Sequence, residues 1–246
     1  MRTYGLIGYP LGHSFSQRYF TEKFSAGGMT DCRYLNFPIP SIGEVVPLIA
    51  AHPDLEGFNV TIPYKQQIIP YLAGLSDEAR EAGAVNCVRI TPQGSIGYNT
   101  DVYGFALSLD RLLGPDRPEK ALILGTGGAS RAVRYVLSRR GIPFSSVSRN
   151  PDGGDYTYAC LTPEIVSAHR LIVNATPLGT FPATDGFPDI PYEGIGSGHY
   201  LFDLVYNPPL TQFLRRGADR GAATTNGYDM LVGQAEKAWE IWNTGK

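Results

Sequence analysis

A glycine-rich turn between an apolar segment and a helical one restricts the possible fold more than any other feature of this sequence. We predict a strand over Ala121 to Leu124, a turn over Gly125 to Ser130, a helix over Arg131 to Arg140 and the next strand over Phe144 to Ser148. A glycine loop between strand and helix lets backbone N–H groups approach a pyrophosphate at the helix start. A tight turn without a ligand is the alternative, but the spacing of the flanking elements favours a dinucleotide site.

The end of the strand after this helix indicates which dinucleotide is bound. NAD sites usually carry Asp or Glu there, which binds the ribose 2′-hydroxyl, whereas this strand ends in Ser148, Arg149 and Asn150. A guanidinium group suits the 2′-phosphate of NADP because charge-assisted hydrogen bonds to phosphate are strong. Arg149 as a plain surface charge is the alternative. We predict NADP as the cofactor.

The first hundred residues also alternate strands with helices. We predict strands over Tyr4 to Gly8, Arg33 to Phe37 and Leu55 to Val60, separated by helices ending at Phe24 and spanning Ile42 to Ala51. A hairpin of Val85 to Ile90 with Ser95 to Tyr98, a short helix over Ser76 to Ala82 and a helix over Gly104 to Leu113 follow. This alternation predicts a second α/β unit.

Polar residues follow the third of these strands directly. Asn59, Thr61 and Lys65 would lie at the carboxyl end of the strand, where open α/β sheets bind ligands, and Pro63 suits the first position of a helix. The chain has five lysines and sixteen arginines. A lysine can give up its proton when its surroundings lower its pKa, and an arginine cannot. From this segment alone an exposed lysine on a first helical turn is the favoured reading.

Two further positions have both a structural and a functional reading. Ser14 and Gln17 have capping-box spacing, whereas Ser16 is less easily explained as a cap, and adjacent hydroxyls at a helix start can hold a carboxylate. Asp101 precedes the helix that begins at Gly104, so its carboxylate can simply stabilise that helix start, and from this segment alone that reading is favoured over a catalytic role.

The second half continues the same alternation. We predict strands over Leu171 to Asn174, Tyr200 to Val205 and Ala222 to Thr225, and helices over Thr211 to Arg216 and Tyr228 to Trp242. The last helix carries apolar residues at helical spacing, so it should pack against another element. The Pro- and Gly-rich stretch 177–198 has no predicted structure.

Composition excludes several classes of protein. A chain of 246 residues suits one large domain or two of about 120 residues. Its 21 Lys and Arg nearly balance 23 Asp and Glu, which argues against a nucleic-acid or membrane partner and leaves a small molecule. Three scattered cysteines and four histidines without ligand spacing predict reduced thiols and no metal site. Without a signal peptide or spanning segment, we expect a soluble, cytoplasmic protein.

Taken together, the ordered motifs of the chain resemble the shikimate dehydrogenase family, the NADP-linked reductases of the pathway to aromatic amino acids. The resemblance covers nearly the whole chain. It rests on the glycine turn and on Gly8 to Ser16, Asn59 to Lys65, Gly83 to Asn86, Asn99 to Gly104, Asn174 to Gly179, Asp203 to Pro208 and Gly227 to Gln234.

The resemblance implies an α/β fold of two domains with an active-site cleft between them. Residues 1–101 with 227–246 would form the substrate-binding and catalytic domain, and residues 102–226 a Rossmann-like NADP-binding domain. The implied reaction is the reversible NADPH-dependent reduction of 3-dehydroshikimate to shikimate. A monomer and a homodimer both remain open.

The resemblance also implies residue roles, and these outweigh the structural readings of Lys65 and Asp101, which it makes the catalytic pair. It implies Ser14, Ser16 and Tyr206 as ligands of the substrate carboxylate, and Asn59, Thr61, Asn86, Asp101 and Gln234 as ligands of the ring hydroxyls. It implies cofactor contacts at Asp77, Gly125, Thr126, Gly127, Gly128, Ala129, Ser148, Arg149, Leu204 and Gly227.

The chain departs from the family pattern at a few positions, and two other functions remain open. Gln17, Tyr19 and Phe20 replace the usual Pro and His-Asn, Asn150 is not the usual neighbour of the arginine, and Thr180 replaces a common methionine. One alternative is a sister enzyme that oxidises quinate as well as shikimate, with relaxed use of NAD and NADP. The other is a binding module that senses shikimate or nucleotide without catalysis. The presence of both Lys65 and Asp101 counts against the sensor.

Overall fold

The computed structural model describes residues 1–11 and 15–244, and it contains two compact α/β units. The first comprises Met1–Thr100 and Ala235–Lys246, and the second Asp101–Gln234. The second boundary therefore falls inside the final helix, Tyr228–Asn243, and not at 226/227 as we predicted. A continuous helix carries no sequence signal at the point where its packing partner changes.

The first unit contains one mixed sheet with helices. Its strands are β1 (Arg2–Gly8), β2 (Cys32–Pro38), β3 (Leu55–Val60), β4 (Gly74–Leu75), β5 (Cys87–Thr91) and β6 (Gly94–Tyr98), in the order β2-β1-β3-β5-β6-β4. Its helices are α1 (Phe15–Ala26), α2 (Val45–Ala51), preceded by a 3-10 turn over Ile42–Glu44, and α3 (Asp77–Ala82). Strands β1, β2 and β3 are parallel, and the predicted hairpin forms β5 and β6.

An aromatic cluster joins the end of the final helix to the first sheet. Trp242 stacks on Tyr4 with ring centroids 4.9 Å apart, and its indole N–H donates to the Val88 carbonyl at 2.9 Å. Gly57 lies under this ring, where an added Cβ would approach the indole to 2.3 Å. Only glycine allows this close packing at that position.

The prediction that a helix begins at Pro63 is wrong. Residues 62–68 form successive turns instead. The Lys65 carbonyl accepts from the Val85 N–H at 2.7 Å instead of from a later residue of its own segment. The Tyr64 hydroxyl donates to the Ile39 carbonyl at 2.6 Å, so this buried side chain also ties the segment to the core. These long-range bonds replace the helical pattern, and only a 3-10 turn at Ile69–Tyr71 follows.

The second unit contains a fully parallel sheet. Its strands are β7 (Ala121–Leu124), β8 (Phe144–Ser148), β9 (Tyr156–Thr157), β10 (Leu171–Asn174), β11 (Tyr200–Asp203) and β12 (Ala223–Thr225), in the order β12-β11-β10-β7-β8-β9. The α-helices that follow α3 in the described residues are α4 (Thr100–Leu113), α5 (Gly128–Arg139), α6 (Pro163–Ser167), α7 (Gln212–Ala218) and α8 (Tyr228–Asn243). This strand order is that of the Rossmann dinucleotide-binding fold, as predicted.

Most predicted elements of the second unit are confirmed, and the differences lie at their ends. Strands β7, β8 and β10 have the predicted bounds. Helix α5 begins at Gly128, three residues early, because the last three residues of the predicted glycine turn already belong to its first turn. Helix α4 begins at Thr100 instead of Gly104. Helix α6 and strand β9 are too short to produce a periodic pattern and were not predicted.

Candidate active site

A cavity of about 400 Å³ lies at the carboxyl ends of β7, β8 and β10. The strand order reverses between β7 and β10, and doubly wound sheets bind ligands at this kind of position. The cavity is lined by Gly125, Thr126, Gly127, Val147, Ser148, Arg149, Asn150, Tyr158, Ala175, Thr176, Pro177 and Leu178.

The glycine turn forms one wall of this cavity. Gly125 has φ +101°, a conformation that favours glycine, and an added Cβ there would lie 2.9 Å from the Thr176 methyl carbon. Gly127 caps α5 without a side chain, and a Cβ there would meet nothing within 4 Å. Gly128 and Ala129 are the first residues of α5. The first N–H groups of a helix lack partners within it, so this end of α5 suits a phosphate.

The end of β8 forms a second wall, and it is suited to an anion. Arg149 is exposed, and the Ser148 hydroxyl oxygen accepts from the Asn150 N–H at 3.1 Å. The following chain folds back closely, since a Cβ on Gly153 would approach the Ser148 Oγ to 2.5 Å. Among the lining residues in the described part of the chain, none is Asp or Glu. The residues present therefore fit the adenosine end of NADP.

Tyr158 is a cavity residue that sequence reasoning missed. It follows β9 in a 3-10 turn, Tyr158–Cys160. Burial raises the pKa of its hydroxyl, and the charge of Arg149 lowers it by a smaller amount. A two-residue strand leaves no detectable pattern, so no sequence signal placed Tyr158 here.

Of the other residues predicted to contact the cofactor, Leu204 and Gly227 lie in the second unit and Asp77 lies in the first. Gly227 packs directly on Leu204, because an added Cβ would lie 2.2 Å from the Leu204 carbonyl oxygen, and the Gly227 N–H donates to Val205 at 3.1 Å. Asp77 belongs to the first unit, where it begins α3, is exposed and pairs with Arg80 at 2.9 Å. Its cofactor contact stays a prediction.

In the first unit, three predicted substrate ligands lie at the carboxyl end of β3. Asn59 and Asn86 are 4% and 3% exposed, and the Asn59 side-chain N–H donates to the Asn86 carbonyl at 3.2 Å. Thr61 follows β3 and its N–H donates to the Ile7 carbonyl at 2.9 Å. Lys65 is half-buried, and its carbonyl accepts from the N–H of Val85, the residue that precedes Asn86. These polar residues share one end of the sheet.

Two of the three residues predicted to bind the substrate carboxylate lie within the described residues. Ser16 is the second residue of α1 and is half-buried. Ser14 lies outside the described residues. Tyr206 follows β11 in the second unit and is half-buried.

Asp101 and Gln234 belong to the second unit and lie on two tightly packed helices. An added Cβ on Gly104 of α4 would lie 2.3 Å from the Met230 carbonyl oxygen and 3.0 Å from the Gln234 nitrogen on α8. Asp101 precedes Gly104 by about one helical turn and is 7% exposed. The residue before Asp101 is Thr100, and the Thr100 N–H donates to the Asn86 side-chain oxygen at 2.6 Å.

Asp203 is a buried carboxylate that anchors the end of β11. It accepts hydrogen bonds from the Asn174 amide at 2.9 Å, the Val205 N–H at 3.0 Å and the Thr211 hydroxyl at 2.5 Å. The Asn174 side-chain oxygen in turn accepts from the Thr176 N–H at 3.0 Å. This network holds the cavity-lining residue Thr176. Burial raises the pKa of Asp203 to about 6, although its three hydrogen bonds act in the opposite direction.

The raised pKa of Asp203 predicts a specific pH dependence of stability. The folded pKa of about 6 exceeds the ordinary 3.8, so the folded state binds a proton more tightly between these values. The contribution of Asp203 to the free energy of unfolding should therefore fall by about 3 kcal/mol as the pH rises through this window. Urea denaturation of the wild type and Asp203→Asn at several pH values measures it. Identical pH slopes in the two proteins would contradict the prediction.

The described residues show neither a spanning helix nor a metal cluster. In 1–11 and 15–244, no helix is long and apolar enough to cross a membrane. Over the same ranges, no three His, Cys, Asp or Glu side chains are grouped so as to hold a metal ion.

Comparison with known proteins connects this geometry to a family. Residues 6–88 match the model of the shikimate dehydrogenase substrate binding domain. The NADP(+) shikimate dehydrogenase of Carboxydothermus hydrogenoformans is 35% identical over 256 residues, covering 97% of this chain and 90% of its own.

Two solved structures share the fold over nearly the whole chain. The shikimate 5-dehydrogenase of Thermus thermophilus, in complex with NADP(H) and shikimate, is 29% identical with a TM-score of 0.86 and covers 99% of this chain and 94% of its own. The quinate dehydrogenase of Corynebacterium glutamicum, in complex with NAD, is 27% identical with a TM-score of 0.88 and covers 98% and 93%. With a common fold and more than a third of its residues shared with a curated relative, this chain belongs to the shikimate dehydrogenase family.

Proposed function

We propose that this protein is an NADP-dependent shikimate dehydrogenase, which reversibly reduces 3-dehydroshikimate to shikimate. The observation that carries the proposal is the cavity beside the glycine turn, where Arg149 directly follows β8 and none of the described lining residues is acidic. It occurs in a chain that is 35% identical to an NADP(+) shikimate dehydrogenase.

Residues of the second unit would hold most of the cofactor. The N–H groups of Gly125 to Ala129 would bind the pyrophosphate, and Ser148 and Arg149 would bind the 2′-phosphate. Leu204 and Gly227 would contact the nicotinamide half, and Asp77 is a further candidate contact. When bound, NADPH supplies the hydride.

Neutral hydrogen-bonding groups would orient the substrate. Ser14, Ser16 and Tyr206 would donate to its carboxylate, while Asn59, Thr61, Asn86 and Gln234 would bind its ring hydroxyls. Amide groups both donate and accept, as hydroxyl groups do, so the pairing is chemically matched.

Lys65 and Asp101 would carry the proton transfer. Negative charge develops on the ketone oxygen during reduction, and the Lys65 ammonium would donate a proton to it as general acid. In the reverse direction the neutral amine would take the proton back from the hydroxyl. Asp101 would orient Lys65 and hydrogen-bond the same hydroxyl.

A second candidate is a dehydrogenase that also uses quinate or NAD. It is favoured by the likeness to a quinate dehydrogenase in complex with NAD, with a TM-score of 0.88. Quinate differs from shikimate by an additional hydroxyl, and polar pockets discriminate such groups through individual hydrogen bonds.

Initial rates for shikimate and for quinate, each with NADP and with NAD, separate these functions. We expect shikimate oxidation chiefly with NADP. Comparable rates with quinate or NAD would favour the second candidate, and nucleotide binding without turnover would indicate a sensor.

We also infer a cytoplasmic enzyme. The described cysteines Cys32, Cys87 and Cys160 are free thiols, as is usual in a reducing compartment. A monomer and a homodimer are both compatible with the chain, and light scattering during gel filtration distinguishes them.

A further inference from the structure

Tyr34 is a buried tyrosine that contacts the predicted substrate ligands. It lies on β2, is 4% exposed, and its hydroxyl donates to the Asn59 side-chain oxygen at 2.8 Å. Its ring stacks on Phe20 with centroids 4.7 Å apart and an interplanar angle of 11°. The ring is therefore held by packing while the hydroxyl reaches a polar partner.

The hydrogen bonds of Asn59 determine which way its amide points. Its oxygen accepts from Tyr34, and its nitrogen donates to the Asn86 carbonyl at 3.2 Å. Exchanging the two amide atoms would place a carbonyl oxygen against the Asn86 carbonyl oxygen, which is repulsive. An amide can make two hydrogen bonds at each end, so Asn59 can keep both partners and still bind a substrate hydroxyl.

Tyr34 also contacts Ser16 on α1. Burial raises the pKa of the Tyr34 hydroxyl well above its ordinary value, and a hydrogen bond with the Ser16 side chain acts against this shift. One hydroxyl group thus connects Ser16, which would bind the substrate carboxylate, with Asn59, which would bind a ring hydroxyl.

We propose that Tyr34 is a positioning residue for the substrate, which holds the Asn59 amide and the Ser16 hydroxyl in the arrangement that shikimate requires. The proposal rests on the proposed function. Removing the Tyr34 hydroxyl would leave the buried Asn59 oxygen without this donor, so the amide would lose one of the two bonds that hold it and could tilt away from the position that the substrate requires. The NADP cavity belongs to the second unit, so cofactor binding should not change.

Tyr34→Phe tests this role without removing the stacked ring. We expect the KM and Kd for shikimate to rise about tenfold, the effect of one buried hydrogen bond, with the KM for NADP within about twofold of the wild type. Tyr4→Phe is a matched control, because Tyr4 is also fully buried in the aromatic cluster and its hydroxyl donates to Glu56 at 3.1 Å. This control should leave both KM values unchanged.

A double-mutant cycle with Asn59→Ala tests whether Tyr34 acts through Asn59. If it does, Tyr34→Phe should weaken shikimate binding much less in the Asn59→Ala background than in the wild type, as measured by calorimetry. An unchanged shikimate Kd in Tyr34→Phe, an equal loss in Tyr4→Phe, or fully additive effects would overturn the proposal. A wild type that neither binds nor oxidises shikimate would instead overturn the proposed function.

Discussion

Lys65→Ala is expected to lower kcat for shikimate oxidation by roughly 10²- to 10⁴-fold, the usual contribution of general acid–base catalysis. The KM values for shikimate and NADP should change little, because the proposed ligands of both molecules remain. Stopped and continuous rate assays with folded variant protein, checked by circular dichroism, measure the effect. Near-normal turnover would refute the role of Lys65.

Lys65→Arg tests whether Lys65 acts by transferring a proton or only by its positive charge. Arginine keeps the positive charge but does not release its proton, so this variant should lose about as much activity as Lys65→Ala. Lys237→Ala is the control, since Lys237 forms an exposed pair with Glu240 at 2.7 Å on α8 and belongs to no proposed site. A highly active Lys65→Arg variant would show that charge alone is needed.

Arg149→Ala is expected to raise the KM for NADP by roughly 10- to 100-fold, because a hydrogen bond to a charged group is worth about 1.5–3 kcal/mol. The KM for NAD should stay nearly the same, since NAD lacks the 2′-phosphate that Arg149 would bind. Kinetics with both nucleotides at saturating shikimate measure the change in preference.

Arg139→Ala controls for the loss of a positive charge near α5. Arg139 is exposed and ends the helix whose other end, Gly128, adjoins the cavity, so it lies about 16 Å away along the axis. It should leave the NADP preference intact. If Arg149→Ala weakens both nucleotides equally, or neither, Arg149 does not select NADP.

Much of the second unit was predictable because its signals are local. Buried parallel strands appear as short apolar runs, as in Ala121–Leu124, and the glycine turn marks the helix that follows. The prediction of NADP is local too, because it depends on the residue after β8, which is Arg149 and not Asp or Glu. The cavity is lined by Gly125, Gly127 and Arg149, and their contacts with the cofactor stay a prediction.

The missed features depend on residues far apart in the chain. Pro63 has a good helix-start signal, but the bond from Val85 to the Lys65 carbonyl produces turns instead. Tyr158 reaches the cavity only because β9 pairs beside β8, and Tyr34 on β2 reaches Asn59 on β3 across the intervening strand β1. None of these contacts can be predicted from the spacing of residues along the sequence.

The sequence by itself determined the α/β class, the Rossmann-like second unit, the family and the candidate residues for NADP and substrate. Each of these follows from residue type within a short window or from motifs in a fixed order. Only the tertiary structure decided that the division of the chain falls inside α8, that the Tyr34 hydroxyl donates to Asn59, and that burial raises the pKa of Asp203 to about 6. The physical reason is that packing, burial and side-chain hydrogen bonds join residues distant in sequence, and their free energies exceed local preferences.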